Sequence, residues 1–253
     1  MIGRYVGSTR LILRRGLSSA TGSYYVGLTD PGEMGFLLHL LRPNDLFMDV
    51  GANIGIYTVL AAGVCGATVC AVEPANAALP HLADNLRLNE IEALVTTHPV
   101  ALGEINGTAR LSAGLGTTNR IICHDVPQEA ATVAMSTLDA LLGGAVPLLL
   151  KLDVEGHEAQ ILRGGPRTLS ASTLRAAIIE TNGRGAVDSG GDSVVHAAMT
   201  EAGFSAAVYD PTRRSLTLLQ SPTFPNTLYV RDCKWLKMRL AEAASYEVLG
   251  CRY

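Results

Sequence analysis

Hydrophobic and polar positions alternate in blocks along the chain, and the blocks change between a strand-like and a helix-like period. Short apolar runs predict buried strands, and longer stretches with apolar residues three and four positions apart predict helices. Strands are expected at 45–50, 67–73, 93–102, 146–154, 175–181, 205–210, 214–220 and 226–232. Helices are expected at 56–64, 76–89, 136–142, 157–164 and 191–204. Strands that alternate with helices favour a parallel sheet covered by helices on both faces.

The end of the pattern departs from this alternation. Three strand segments follow one another, joined only by the short turns "PTRR" and "SPTFP". Such turns are too short for the crossover that parallel neighbours need, so at least one late strand must run antiparallel. The predicted fold is an α/β fold with a mostly parallel, seven-stranded sheet and a late antiparallel strand. This Rossmann-like arrangement resembles the class I methyltransferase architecture more than a pure dinucleotide-binding fold.

The pattern predicts one main domain with two flanking segments. Residues 1–30 are expected to form an arm or helix packed on the core, 31–235 the main domain, and 236–253 a C-terminal helix or tail. Within the main domain, 103–135 is the least regular stretch. Long irregular loops inside compact domains are often functional, so this stretch is expected to be a lid or an inserted hairpin.

Composition and charge narrow the function classes. The chain has 253 residues, is 48% hydrophobic and 17% charged, and carries a formal net charge of −3. It can bury a sizeable core, and it has no overall basic field to attract nucleic acid. Basic charge is local, since four arginines precede the first acidic residue, Asp30. The N-terminal stretch shares its Arg- and Ser-rich, acid-free composition with transit peptides, but a structural arm is the favoured interpretation.

Cysteine usage and hydropathy indicate a cytoplasmic protein. No apolar run approaches the roughly 18 residues that span a membrane. The five cysteines form no C-x-x-C pair and have irregular spacing. Reduced thiols are therefore expected, and a zinc site is disfavoured.

Acidic residues stand at the carboxyl ends of the predicted strands, where open α/β sheets bind their ligands. Asp49 is followed by Gly51 and Gly55, and Glu73 lies 24 positions after Asp49. The glycines allow a tight turn and close approach of a ligand, and a carboxylate at the Glu73 position can accept both hydroxyl protons of a ribose. The loop is G-x-x-x-G, without the third glycine or the lysine of phosphate-binding loops. Ribose recognition without a phosphate cradle favours S-adenosylmethionine over NAD or ATP.

The stretch "KLDVEGHE" at 151–158 places further candidates at the fourth strand end. Transfer of a methyl group to an alcohol requires a base, and the candidates are His157, Glu155 and Asp153. The pKa of an imidazole favours His157, whereas position favours the two carboxylates. Lys151 is a further candidate and can instead neutralise Glu155. A less favoured alternative is a magnesium site, formed by Asp153, Glu180 and Asn182.

In family order and register, "FMDVGANIGIYTVLAA", "AVEPANAALPHLADNLRLN", "STLDALL", "LLLKLDVEGHEAQILRGG" and "AAIIETN" resemble the FkbM-type S-adenosylmethionine-dependent methyltransferases. The resemblance covers about residues 30–232 by motif order. It implies a set of cofactor-binding residues, namely Asp49, Gly51, Asn53, Gly55, Glu73, Pro74, Ala101 and Asp153. The N-terminal arm and 113–131 depart from the family pattern, and these are the parts expected to contact the substrate.

The resulting expectation is O-methylation of a hydroxyl on a small molecule such as a natural product, sugar or lipid. An N- or C-methyltransferase on the same scaffold, or a non-catalytic S-adenosylmethionine-binding interaction protein, remain alternatives. A nucleic-acid substrate is disfavoured by the acidic net charge and by the absence of an Asn/Asp-Pro-Pro-aromatic motif. A homo-oligomer is possible, because the arm can exchange between subunits.

Overall fold

The computed structural model describes residues 1–14, 18–112, 121, 130–181 and 191–253. In chain order its strands are β1 (Ile2–Arg4), β2 (Arg10–Ile12), β3 (Leu46–Val50), β4 (Thr68–Val72), β5 (Val95–His98), β6 (Ala101–Leu102), β7 (Gly107–Leu111), β8 (Ala131–Ser136), β9 (Leu149–Leu152), β10 (Ala176–Glu180), β11 (Ser205–Asp210), β12 (Ser215–Leu218), β13 (Asn226–Val230), β14 (Glu247–Val248) and β15 (Cys251–Arg252).

The α-helices are α1 (Ser18–Val26), α2 (Pro31–Leu40), α3 (Ile56–Val59), α4 (Leu79–Leu88), α5 (Leu138–Leu142), α6 (Glu158–Arg163), α7 (Pro166–Ser170), α8 (Gly191–Glu201) and α9 (Cys233–Ala241). A π-helical turn, Leu60–Val64, continues α3, and a 3₁₀ turn, Glu92–Leu94, precedes β5. None of the helices in the described ranges is both long and apolar enough to cross a membrane.

The main sheet has the strand order β12-β11-β13-β10-β9-β3-β4-β5. All neighbours from β10 to β5 pair in parallel. Strand β13 runs antiparallel to both β10 and β11, and β12 runs antiparallel to β11. The predicted mostly parallel sheet with a late antiparallel strand is therefore confirmed. The expected count of seven strands is one too few for the described residues, because all eight predicted segments, including 214–220 as β12 at the outer edge, contribute a strand to this sheet.

The strand expected at 93–102 is two strands. Strand β5 pairs with β4 in the main sheet, whereas β6 pairs in parallel with β8 in a separate three-stranded sheet that includes β7. Pro99 lies at the break and has no N–H to donate to a strand ladder. Strands β7 and β8 pair antiparallel within 103–135 and stand beside the carboxyl end of the main sheet.

Successive residues of the central strands point to opposite faces and build two cores. Phe47, Val69 and Leu149 pack on one face, in a cluster that includes residues of α2, α3, α4 and α9. Their neighbours Met48, Cys70 and Leu150 pack on the other face, with residues of α5 to α8. This two-sided burial explains why the central strands are apolar at almost every position.

The N-terminal hairpin of β1 and β2 is attached to α4. The backbone N–H of Ile12 donates to the side chain of Asn85 at 2.9 Å, and that of Arg10 donates to Asn89 at 2.8 Å. Arg14 forms an ion pair with Asp84 at 2.7 Å. Two of the arginines that precede Asp30 therefore take part in contacts within the chain.

Candidate active site

The main pocket lies at the carboxyl edge of the sheet, where β3 meets β9 and the strand order reverses. Its volume is about 270 Å³. The ends of β3, β4 and β9 form one wall, and the segment from Ser23 to Met34 forms the opposite wall. The structure brings most of the predicted residues together here: Asp49, Gly51, Asn53, Glu73, Pro74, Ala101, Lys151, Asp153 and Glu155 all line the pocket.

The glycine loop after β3 turns tightly because its backbone is held against neighbouring strands. The N–H groups of Gly51 and Ala52 donate to the carbonyl of Val72 at 2.9 and 3.0 Å. Gly51 has φ of +77°, and a Cβ at this position would stand 1.9 Å from the carbonyl oxygen of Asp153. Gly55 has φ of +88° and faces Leu82 behind the loop, so it shapes the turn without lining the pocket.

Glu73 ties the end of β4 to the glycine loop. Its carboxylate accepts the N–H of Asn53 and the N–H of Ala75, each at 2.8 Å. Burial raises the pKa of the Glu73 carboxyl above its ordinary value, and the two amides offset part of that shift. Each carboxylate oxygen keeps a further acceptor position, so Glu73 can hold the loop and accept hydroxyl groups of a ligand at once.

A buried lysine stands between two carboxylates at the floor of the pocket. The Nζ of Lys151 lies 3.1 Å from Oδ2 of Asp153 and 3.7 Å from Oδ1 of Asp49, and it lies over the ring of Tyr57. Burial alone would lower the pKa of Lys151, but attraction to Asp153 and Asp49 outweighs burial and raises it. Lys151 is therefore a fixed cation. The ion pairs described for it go to Asp153 and Asp49, which corrects the expectation that it neutralises Glu155.

Asp49 is fully buried and only partly satisfied. Its Oδ2 accepts the hydroxyl of Thr58 at 2.6 Å. Asp49 lines the pocket, and its Oδ1, 3.7 Å from Nζ of Lys151, accepts no hydrogen bond from the described residues. Burial raises the pKa of Asp49, and nearby Lys151 offsets part of the effect. A buried carboxylate oxygen of this kind suits a cationic ligand group such as an ammonium.

Glu155 and Glu180 meet beside the pocket. Glu155 lines the pocket, has φ of +58°, and donates its backbone N–H to Oε2 of Glu180 at 3.0 Å. Burial raises the pKa of Glu180 to about 8, and the negative charges of Asp153 and Glu155 contribute to the shift. The carboxyl groups of Asp153, Glu155 and Glu180 therefore lie close together at the end of β9.

His157 does not line the main pocket, contrary to the expectation for a general base. The turn at Gly156, with φ of +104°, carries His157 to a second cavity between α6 and the β7–β8 hairpin. Burial lowers the pKa of His157 to about 4. The side-chain direction follows from the glycine turn, which the spacing of "KLDVEGHE" did not reveal.

The magnesium alternative gains no third ligand from the described residues. Asn182 lies outside the described residues, and Glu180 accepts the Glu155 amide. Within the ranges the structure describes, no group of three or more His, Cys, Asp or Glu side chains is placed to hold a metal ion.

The sequence did not predict that residues between Ser23 and Met34 line the pocket. Asp30 accepts the hydroxyl of Tyr57 at 3.0 Å, and this bond joins the wall to α3. The hydroxyl of Ser23 is buried at the pocket without a hydrogen-bond partner among the described residues. The available signal was weak, because these residues carry no motif beyond the Asp30-Pro31 start of a helix.

The strand order, the glycine loop and the carboxylates at the strand ends define a class I methyltransferase fold with its ligand pocket in the usual place for an open α/β sheet. Residues 49–206 match the family model described as the methyltransferase FkbM domain. The match spans more than half of the chain, and the protein belongs to this family.

The cofactor of this methyltransferase is S-adenosylmethionine, and the pocket fits it. The unsatisfied Oδ1 of Asp49 suits the cofactor's ammonium group, and Glu73 suits the ribose hydroxyls. The absence of a side chain at Gly51 lets the loop after β3 pack directly against the backbone of Asp153, which sets the shape of the pocket. When bound, the cofactor supplies an activated methyl group.

Three solved structures show similarity to this chain. The O-methyltransferase TomG from Streptomyces achromogenes, involved in tomaymycin synthesis, is 15% identical, with a TM-score of 0.46 over 87% of this chain and 91% of that chain. A precorrin-6y C5,15-methyltransferase from Geobacter metallireducens is 11% identical, with a TM-score of 0.44 over 77% and 83%. An rRNA methylase from Streptococcus thermophilus is 17% identical, with a TM-score of 0.42 over 78% and 91%. No curated protein matches the sequence.

Proposed function

We propose that the protein transfers the methyl group of S-adenosylmethionine to a hydroxyl of a small molecule such as a natural product, sugar or lipid. The observation that carries this proposal is the position of Glu155, which lines the pocket from the loop that follows β9. An alcohol must lose its proton as its oxygen attacks the methyl carbon, and a carboxylate at the pocket can accept it. The C–S bond breaks as the C–O bond forms, and the proton passes to Glu155.

Asp153 has a different role in this proposal. Its carboxylate is bound by Lys151 at 3.1 Å, which neutralises its charge and fixes its direction. In this proposal Asp153 orients the ligand, and Glu155 accepts the proton. Lys151 positions Asp153 and Asp49 and does not itself accept a proton, because its raised pKa keeps it protonated. Beyond the base, catalysis depends on in-line alignment and exclusion of water.

The charge of the pocket wall supports a small molecule over a nucleic acid. Among the described lining residues there are five carboxylates, Asp30, Asp49, Glu73, Asp153 and Glu155, and a single cation, Lys151. A phosphate backbone would be repelled by this wall. Two arginines near the N-terminus are already bound to α4: Arg14 forms an ion pair with Asp84, and Arg10 donates to the carbonyl of Leu88. These two side chains are therefore less available to a phosphate backbone.

A cytoplasmic location and a homo-oligomer stay predictions. The described cysteines, Cys65, Cys70, Cys233 and Cys251, form no disulfide. Tyr25 and Val26 at the end of α1 are 71% and 61% exposed, which offers an apolar surface for self-association. Light scattering on the purified chain would measure the oligomeric state.

The proposal is tested by incubating the protein with S-adenosylmethionine and a panel of hydroxylated small molecules, and by measuring the S-adenosylhomocysteine formed. Replacing Glu155 by Gln should lower kcat by about 100-fold or more, the usual size of a general-base effect, while the affinity for S-adenosylhomocysteine is unchanged. The matched control is Glu201→Gln, at an exposed position on α8. Normal turnover of a hydroxyl acceptor by the Glu155 variant would overturn the base assignment. Transfer to amines or carbon acceptors alone would overturn O-methylation.

A further inference from the structure

A second cavity lies next to the main pocket and shares a lining residue with it. It has a volume of about 360 Å³ and lies between the β7–β8 hairpin and the start of α6. Ile121 lines both cavities and forms a β-bridge with Leu111, which lines the main pocket. The loop after β9 contributes to both, since Glu155 lines the main pocket and His157 the second cavity.

Two polar groups that line this cavity have no hydrogen-bond partner among the described residues. The carboxamide oxygen of Gln160 is buried and accepts no hydrogen bond from the described residues. A buried acceptor in this state costs free energy unless a donor reaches it. The ring of His157 also makes no hydrogen bond there, and burial is the cause of its lowered pKa of about 4. Near neutral pH the ring is uncharged, with one nitrogen that donates and one that accepts.

Apart from Thr108, the rest of the lining is apolar or internally paired. Ile105, Ala109, Ile121 and Met135 supply an apolar surface. At the rim, Glu104 faces Arg163 at 3.7 Å and the guanidinium of Arg110 donates to the carbonyl of Ala130 at 3.3 Å. These charges have opposite signs and each has a partner, so the cavity offers no net charge to a ligand. The chemistry fits an uncharged ring that carries a hydroxyl.

We propose that this cavity binds the part of the methyl acceptor remote from the reacting oxygen, and that this part is a neutral, hydroxylated ring. A ring hydroxyl donates to Gln160, His157 contacts the same or a neighbouring hydroxyl, and the apolar side chains cover the ring face. This inference rests on the proposed function and adds the substrate class: an uncharged, hydroxylated cyclic molecule long enough to pass Ile121. His157 and Gln160 are then specificity residues.

The test uses the protein saturated with S-adenosylhomocysteine and two probes, phenol and anisole, which differ by the hydroxyl donor. Binding is followed by NMR of ¹⁵N-labelled histidine rings, with His157→Phe to assign the His157 signal. Phenol should shift that signal and bind about fivefold or more tightly than anisole, as expected for one hydrogen bond. Replacing Gln160 by Leu should abolish the difference between the probes.

The matched control is Gln220→Leu, the same substitution at an exposed position outside the cavity. Thermal melting without probe adds a second readout. Gln160→Leu should leave the melting temperature equal to or above that of the control, because it removes an unsatisfied buried oxygen. A lower melting temperature would mean that the oxygen already has a partner, and equal binding of phenol and anisole would mean that it receives no donor; either result overturns the proposal. Methyl transfer is not measured here, so a failure of O-methylation leaves these readouts unchanged.

Discussion

Gly51 is the residue on which the shape of the pocket depends most directly. A methyl group at this position would lie 1.9 Å from the backbone oxygen of Asp153, so the loop after β3 and the loop after β9 would have to separate. Gly66 provides a comparison, because it shares the left-handed backbone, with φ of +68°, but its Cβ would meet only Pro43 at 3.4 Å.

Gly51→Ala should therefore lower the free energy of unfolding by about 3 kcal/mol or more, whereas Gly66→Ala should cost about 1 kcal/mol. The affinity for S-adenosylhomocysteine should fall at least about tenfold in the first variant and stay unchanged in the second. Urea unfolding and calorimetric titration measure the two effects. Equal losses in both variants would show that backbone strain alone, without the contact to Asp153, explains the change.

Glu73→Gln tests the carboxylate that joins the glycine loop to β4. The substitution places an NH₂ group against one of the two N–H donors of Asn53 and Ala75, and it removes the charge. Affinity for S-adenosylhomocysteine should fall about 10- to 100-fold, the range for charged hydrogen bonds. Glu92→Gln, at an exposed position, is the control for loss of charge. Unchanged affinity in the Glu73 variant would exclude its role at the ribose.

The residues of the site that the sequence predicts are those at strand ends. Asp49, Glu73 and Asp153 follow apolar runs, and the carboxyl ends of parallel strands share one edge, so their convergence follows from the fold class alone. Ser23 and Asp30 have no such constraint, because their position depends on how the N-terminal segment packs over the sheet. His157 escapes prediction for a local reason, the left-handed turn at Gly156.

At the scale of elements, β13 has a structural role away from the pocket. Because it runs antiparallel to β10, its carboxyl end lies at the sheet edge opposite the cofactor pocket. Arg231 follows it and donates to the carbonyl oxygens of Leu174, Leu169, Ala202 and Ala171, with its guanidinium over the ring of Phe204. One side chain therefore joins the ends of α7 and α8 to the sheet.

Arg231→Lys should lower the free energy of unfolding by about 1–3 kcal/mol, because an ammonium cannot reach several carbonyls in the plane that a guanidinium spans. The affinity for S-adenosylhomocysteine should not change, since the contacts lie at the far edge of the sheet. Arg213→Lys, on an arginine side chain that is 82% exposed, is the control. A parallel loss of cofactor affinity would show that the two edges are coupled.

Element boundaries illustrate what the pattern of residues cannot supply. The apolar run at 93–102 is continuous enough to predict one strand, yet β5 and β6 belong to different sheets. β6 is buried, whereas β5 is an edge strand with no fully buried residue, and the sequence pattern does not separate the two. β6 leaves the main sheet because it pairs with β8, a strand that comes about thirty residues later in the chain.

For the whole molecule, buried ionisable groups predict how stability depends on pH. Burial raises the pKa of Glu180 from its ordinary value of 4.5 to about 8, so the folded state holds a proton on this group up to about pH 8. The cost of ionising it in the folded protein is absent below pH 4.5, grows as pH rises, and is complete above pH 8. Burial lowers the pKa of His157 to about 4 and also that of His39, where neighbouring arginines contribute. For these histidines the free energy of unfolding rises with pH, because the folded state resists protonating them. The rise is complete above pH 6.5, their ordinary pKa.

The free energy of unfolding should therefore fall between pH 6.5 and about pH 8.5, where Glu180 ionises and the histidines no longer contribute. Glu180→Gln should flatten this part of the profile, and Glu201→Gln should leave it as in the unmodified chain. Urea unfolding at both pH values gives the comparison. If the Glu180 variant loses as much stability as the unmodified chain, the proton is held elsewhere.

The excess of carboxylates around the main pocket affects how the enzyme completes a cycle. The incoming cofactor carries a positive sulfonium, and loss of the methyl group converts the sulfonium to a neutral thioether. The attraction between the wall and the ligand therefore weakens in the same step that transfers the methyl group. We therefore expect charge to hold fresh cofactor more firmly than spent cofactor beside Asp49 and Asp153.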